Sequence, residues 1–162
     1  MSALQHFPRV TPFLWFDANA EEAVDFYISI FKNSRRLDEL RNTAEAPVPK
    51  SSVLTLSFEL DGQKFTALNG GPHFKFTEAI SLVVRCDSQE EIDYYWSKLA
   101  AGGQEVQCGW LKDKFGLSWQ VIPKALPEML MDGNSETAQR VMRSMLQMRK
   151  IDLAALRQAQ AA

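Results

Sequence analysis

Seven positions in the first half of the chain recur in the second half at one fixed spacing. Asn19 and Ser88, Glu22 and Glu91, Ala23 and Ile92, Phe26 and Tyr95, Tyr27 and Trp96, Ile30 and Leu99, and Phe31 and Ala100 each lie 69 residues apart. Each set opens with a helix-capping residue and places a glutamate three residues later. The rest of each set falls at i, i+3, i+4, i+7 and i+8, the stripe of a helix lying on a core. A strand-like stretch precedes each helix, VTPFLWF at 10–16 and AISLVVR at 79–85. After the first helix come a polar strand at 35–43, a loop at 44–50, and strands at 51–60 and 64–68 joined by an Asp61-Gly62 hairpin turn. After the second helix come strands at 104–110 and 111–123, around the polar turn 113–116. Gly62 and Gly116 mark corresponding late hairpins. An internal repeat constrains the fold more tightly than any single element. It predicts an α+β protein of two tandem βαβββ modules forming a curved mixed sheet, with helices outside and a concave inner face made by both halves. The modules span 8–70 and 79–123, and a C-terminal helical extension spans 124–162.

In that extension, Asp132, Gly133 and Asn134 read as a turn, and one last helix is expected from 135 to 159. Its apolar residues are Val141, Met142, Met145, Leu146, Ile151, Leu153 and Leu156. Such a helix closes its own core or makes a subunit contact, and amphipathicity alone leaves both open.

Charge and composition exclude several functions. With a net charge of −2 and no stripe of Lys and Arg interleaved with aromatics, nucleic acid is not an expected partner. No apolar run approaches membrane-spanning length, so no membrane partner is expected either. The first ten residues, MSALQHFPRV, lack the pattern of a secretion signal. Two cysteines, Cys86 and Cys108, are too few for a disulfide framework and lack metal-site spacing. A reduced, cytoplasmic protein is the expectation.

The paired modules and the quoted residues resemble the vicinal-oxygen-chelate superfamily, which includes glyoxalase I, extradiol dioxygenases and bleomycin-resistance proteins. More closely, they resemble its PhnB-like branch, labelled 3-demethylubiquinone-9 3-methyltransferase. The stretches that carry the likeness are 12–27 (PFLWFDANAEEAVDFY), 71–85 (GPHFKFTEAISLVVR), 90–103, 107–123 and 148–156 (MRKIDLAAL). In metal-using members of the superfamily, the resemblance implies four inward His, Gln or Glu ligands, from the first and last strand of each module. With the register set by the caps and hairpins, those positions fall at Pro12, Thr66, Ser81 and Gln120. A proline, two hydroxyls and one neutral amide do not make a divalent-metal set, so no metal is expected. A methyl donor would call for a glycine-rich strand-to-helix turn. Gly70-Gly71 precedes Pro72 and Gly102-Gly103 ends a helix, so no cofactor is expected.

The strand at 117–123 carries the strongest site signal. Leu117, Trp119 and Val121 alternate with Ser118, Gln120 and Ile122. Gln120 either fixes a ligand carbonyl or hydroxyl in a cavity or bonds backbone. Ser81 and Thr66 would be its neighbours. Arg85 shares strand parity with Ser81. It would attract a carboxylate or phosphate if it points inward, and is a solvated rim charge if it does not. Asn69 lines the cavity rim or makes the turn, and Trp110 lies at the cavity mouth. By parity, Trp15 and Trp119 face the helices. His6 and His73 read as surface residues, Cys108 has no identifiable base beside it, and no Ser/His/Asp arrangement is present. The ligand-binding set is therefore Gln120, Ser81, Thr66, Arg85, Asn69 and Trp110. The expected function is metal-independent binding of a small molecule by a homodimer. The alternatives are an enzyme of the same superfamily (lyase, dioxygenase or methyltransferase) and an interaction module acting through the last helix.

Overall fold

Strand alternation builds both sheets. The computed structural model describes residues 7–44, 48–131 and 135–162. The chain divides into two units, Met1–Lys75 and Phe76–Ala162. In the first, β1 (Phe13–Phe16) runs parallel to β4 (Gln63–Asn69). β4 pairs antiparallel with β3 (Val53–Leu60), and β3 with β2 (Arg35–Arg41). The spatial order is β1-β4-β3-β2. Helix α1 (Ala20–Ile30) crosses between β1 and β2. It buries Ala23, Val24, Tyr27 and Ile30 in a core shared with Leu14, Phe16, Phe58 and Phe65. Asp61 and Gly62 both take positive φ, as the tight β3–β4 hairpin requires.

The second unit repeats this order. β5 (Ser81–Cys86) runs parallel to β8 (Ser118–Pro123), which pairs antiparallel with β7 (Trp110–Lys112), and β7 with β6 (Gln104–Glu105). Helix α2 (Gln89–Ala100) buries Ile92, Trp96 and Leu99 beside Trp119 and Val121. Ser88 caps α2 as expected, its hydroxyl accepting from the Glu91 N–H at 3.3 Å. Each half is thus a βαβββ module with its own four-stranded mixed sheet.

The repeat carries a slip of one residue that the helix spacing hides. The helices start 69 apart, at Ala20 and Gln89, but the strands correspond at 70. Phe13 lies opposite Thr66 and Val83 opposite Gln120. Three residues separate β1 from α1 and two separate β5 from α2. A one-residue shift in a strand exchanges its faces, and two expectations fail for that reason. Pro12 precedes β1, and it is Phe13 that meets Thr66. Trp15 does not face the helix, because Leu14 and Phe16 take those buried positions. Its ring instead lies against Gly70, where an added Cβ would come within 2.4 Å, and its indole N–H donates to the Gly71 carbonyl at 2.9 Å.

The extension also differs from a single helix. It comprises α3 (Leu126–Met131), α4 (Ser135–Leu146) and α5 (Leu153–Ala161). The break at 147–152 is fixed by Asp152, whose carboxylate caps α5 by accepting from the Ala155 N–H at 3.0 Å. It also lets Ile151 turn inward, to full burial. The expected turn at Asp132, Gly133 and Asn134 lies outside the described residues, as do His6 and positions 45–47 of the expected loop. Among the described residues no helix is long and apolar enough to cross a membrane.

Candidate functional site

One face of each sheet carries a helix, and the other carries the polar side chains singled out by the sequence, Asn69 excepted. In the second unit, β8 turns Trp119 and Val121 into the core and leaves Ser118, Gln120 and Ile122 on the opposite face. Register puts Ser81 opposite Ser118, Val83 opposite Gln120 and Arg85 opposite Ile122. On the other side of β8, Trp110 is opposite Gln120 and Lys112 is opposite Ser118. The sheet therefore brings four expected residues onto one face: Gln120, Ser81, Arg85 and Trp110.

Their polar atoms are only partly paired. The Gln120 side-chain nitrogen donates to the Ser81 hydroxyl at 2.9 Å. The Gln120 carbonyl oxygen and the Trp110 indole N–H have no hydrogen-bond partner among the described residues. Ser118, expected on the face with Gln120 but outside the ligand-binding set, is 1% exposed, and its hydroxyl likewise has no partner among the described residues. Buried hydroxyls are rarely left unpaired. Strand alternation with Gln120 was the signal that could have found it. Arg85 is exposed on the same face, and Lys112 is ion-paired with Glu78.

The face is held by its turn. Asp113, buried at the β7–β8 connection, accepts from the N–H groups of Phe115 and Leu117 at 2.9 and 3.0 Å and from the Trp119 indole at 2.8 Å. That fixes where β8 starts, and so which residues share a face with Gln120.

In the first unit the open sheet face holds a cavity of about 390 Å³. Its lining includes Phe13, Leu40, Thr55, Ser57 and Thr66, with Asp38 contributing a carboxylate. Thr66 and Ser57 lie side by side with their hydroxyls 3.3 Å apart. The apolar wall is open to solvent, since Phe13 and Leu40 are 59% and 57% exposed. Glu39, also in the lining, is paired with Arg41.

Asn69 is placed differently. It is buried on the helix side of β4. Its side-chain oxygen accepts from the Ala20 N–H at 2.9 Å, and its nitrogen donates to Glu21 at 2.7 Å and to the Val53 carbonyl at 3.0 Å. It caps α1, a task the sequence assigns to Asn19, whose side chain makes no cap bond.

The donors do not fit a divalent metal. Thr66 adjoins Ser57, Ser81 accepts from Gln120, and Pro12 offers only the backbone carbonyl that accepts from the Thr66 N–H. Hydroxyls and one neutral amide are weak ligands. Among the described residues no three His, Cys, Asp or Glu side chains are grouped to hold an ion. Cys86 is buried on the helix side of β5, and burial, with Glu91 and Asp87 nearby, pushes its thiol up to about 12. That keeps it protonated and a poor nucleophile.

Residues 8–122 match the family model described as 3-demethylubiquinone-9 3-methyltransferase. Among solved structures, the PhnB protein from Bacillus cereus is 36% identical, covering 72% of this chain and 99% of its own, with a TM-score of 0.66. A Pseudomonas aeruginosa protein is similar at 20% identity, covering 72% of this chain and 98% of its own, with a TM-score of 0.60. The FosX fosfomycin resistance protein of Listeria monocytogenes is similar at 15% identity, covering 76% and 96% of the two chains with a TM-score of 0.56. The last two show the fold alone. No curated protein matches the chain.

Proposed function

The chain belongs to the 3-demethylubiquinone-9 3-methyltransferase family, of the glyoxalase and bleomycin-resistance fold, and from that premise we propose that it binds a small organic molecule without a metal. The ligand presents carbonyl or hydroxyl oxygens to the open face of the second sheet. The observation that carries this reading is the buried Ser118 hydroxyl without a partner, beside the Gln120–Ser81 bond. Ser81 and Ser118 supply O–H donors, Trp110 supplies an N–H, and the Gln120 carbonyl accepts. Such a set favours a neutral, oxygen-bearing group. Arg85, at the exposed end, would add affinity for a carboxylate. The reading also takes the chain as a homodimer, for which light scattering should return twice the chain mass.

A library of small hydroxy and oxo acids, amides and ketones, screened by NMR on ¹⁵N-labelled protein, tests the reading. The expected result is a hit that shifts the Gln120 side-chain amide and the Ser118 and Ser81 backbone amides. Gln120→Leu should weaken that hit by about tenfold, the usual worth of one or two lost hydrogen bonds. A library that leaves all three residues unmoved removes the site.

A further inference from the structure

The extension that follows the family match contains a strap, residues 148–153, lying along the second unit. Its carbonyls at Met148 and Arg149 accept from the N–H groups of Cys108 and Gly109 at 2.8 and 2.7 Å. Both residues take positive φ, +60° and +80°, which turns two consecutive N–H groups outward to the strap. The bulge they form is held from its other side by β8, where the Val121 N–H donates to the Gly109 carbonyl at 2.7 Å. Val121 follows Gln120, and Trp110, opposite Gln120, follows Gly109. There is no slack at this point. A Cβ on Gly109 would meet the Val121 carbonyl at 2.7 Å and the side chain of Ile151, in the strap, at 3.0 Å.

Gln89, at the start of α2, clamps the strap. Its side-chain nitrogen donates to the Ile151 carbonyl at 3.1 Å, and its oxygen accepts from the Leu153 N–H at 2.8 Å. One amide thus satisfies the backbone on both sides of Asp152 and seats Ile151 at full burial. Lys150 adds an ion pair to Asp93 at 2.6 Å.

Resting on the binding reading above, we infer that Gln89 is a positioning residue for the Gln120 site, acting through the strap and the 108–109 bulge. It touches no ligand. It fixes the strap, the strap fixes the bulge, and the bulge sets where β7 and β8 present Trp110 and Gln120.

The test is amide exchange and side-chain NMR of the full chain, without ligand, comparing wild type with Gln89→Ala. Exchange at Cys108, Gly109 and Val121 should rise about tenfold, as expected for loss of a clamp of two hydrogen bonds. The Gln120 side-chain amide should shift, while amides in β3 and β4 of the first unit stay unchanged. Faster exchange confined to 148–153, with Val121 and the Gln120 amide unmoved, overturns the inference. Gln89→Glu keeps an acceptor for Leu153 but sets a carboxylate against the Ile151 carbonyl and the Asp93 carboxylate, so it too should loosen the strap and shift Gln120. It serves as the readout if Gln89→Ala does not fold, and an unmoved Gln120 in that variant overturns the inference equally. Because no ligand is used, a failed small-molecule screen leaves this result readable. A failed screen together with a shifted Gln120 in Gln89→Ala would sink the binding reading and leave the strap coupling standing.

Discussion

At the scale of single residues, two asparagines that look alike in sequence do different work. Asn19 stands at the start of α1 but makes no side-chain cap bond there, whereas Asn69, fifty residues on, supplies it from β4. Asn69→Ala would leave the Ala20 N–H and the Val53 carbonyl without their partner in a buried setting. We expect a loss of about 1–3 kcal/mol in urea unfolding. Asn19→Ala should stay within about 0.5 kcal/mol. Cys86 gives a pH-dependent prediction. Its thiol is pushed from 9.0 to about 12 by burial, so the folded state favours the protonated form. That contribution is complete below 9.0 and is lost as pH rises towards 12, because the unfolded chain ionises first. The stability of wild type relative to Cys86→Ala should therefore fall across that interval, as read by urea melts at several pH values.

Among the elements, the two first strands show why a repeat read from helices misplaces strand residues. Helix faces tolerate an offset error of one residue poorly and strand faces not at all, since their period is two. The extra residue between β1 and α1 is invisible as a pattern, because Asp17, Ala18 and Asn19 read equally well as loop or cap. Trp15 thereby lands on Gly70 rather than under α1. The expected long helix fails for a similar local reason. The apolar spacing of Val141, Met145 and Ile151 does not reveal that Asp152 restarts the helix, yet removing that cap should be measurable. Asp152→Ala is expected to cost about 1 kcal/mol in urea unfolding. Beside it, the hydrogen bond from Lys150, then that from Gln89, holds the Asp93 carboxyl below its ordinary range. A depressed carboxyl stabilises the fold above its unfolded value, and the contribution is lost as pH falls through the folded one. Lys150→Met should raise the Asp93 titration towards the ordinary range, as followed by ¹³C NMR.

For the whole molecule, the family match runs from residue 8 to 122 and takes in both modules, while α3, α4 and α5 lie beyond it. The stretch 148–156, taken from the sequence as part of the likeness, falls outside that match. Its residues are those that strap the second unit. The proposed metal independence is tested on the whole protein. Exhaustive chelation should leave both the melting temperature and any small-molecule hit unchanged, and recovery of binding on adding Mn, Ni, Fe or Zn to chelated protein would count against the reading. The sequence by itself determined the two βαβββ modules, the hairpins at Gly62 and Gly116, the Ser88 cap and the placing of Gln120 opposite its core neighbours. These follow from periodicity and turn chemistry, which act over a few residues. Only the tertiary structure decided that Phe13 rather than Pro12 meets Thr66, that Asn69 caps a helix, that Ser118 is buried without a partner, and that Gln89 holds residues more than sixty positions away. Each of those depends on pairing between distant segments, where one residue of slack in a loop changes which side chains meet.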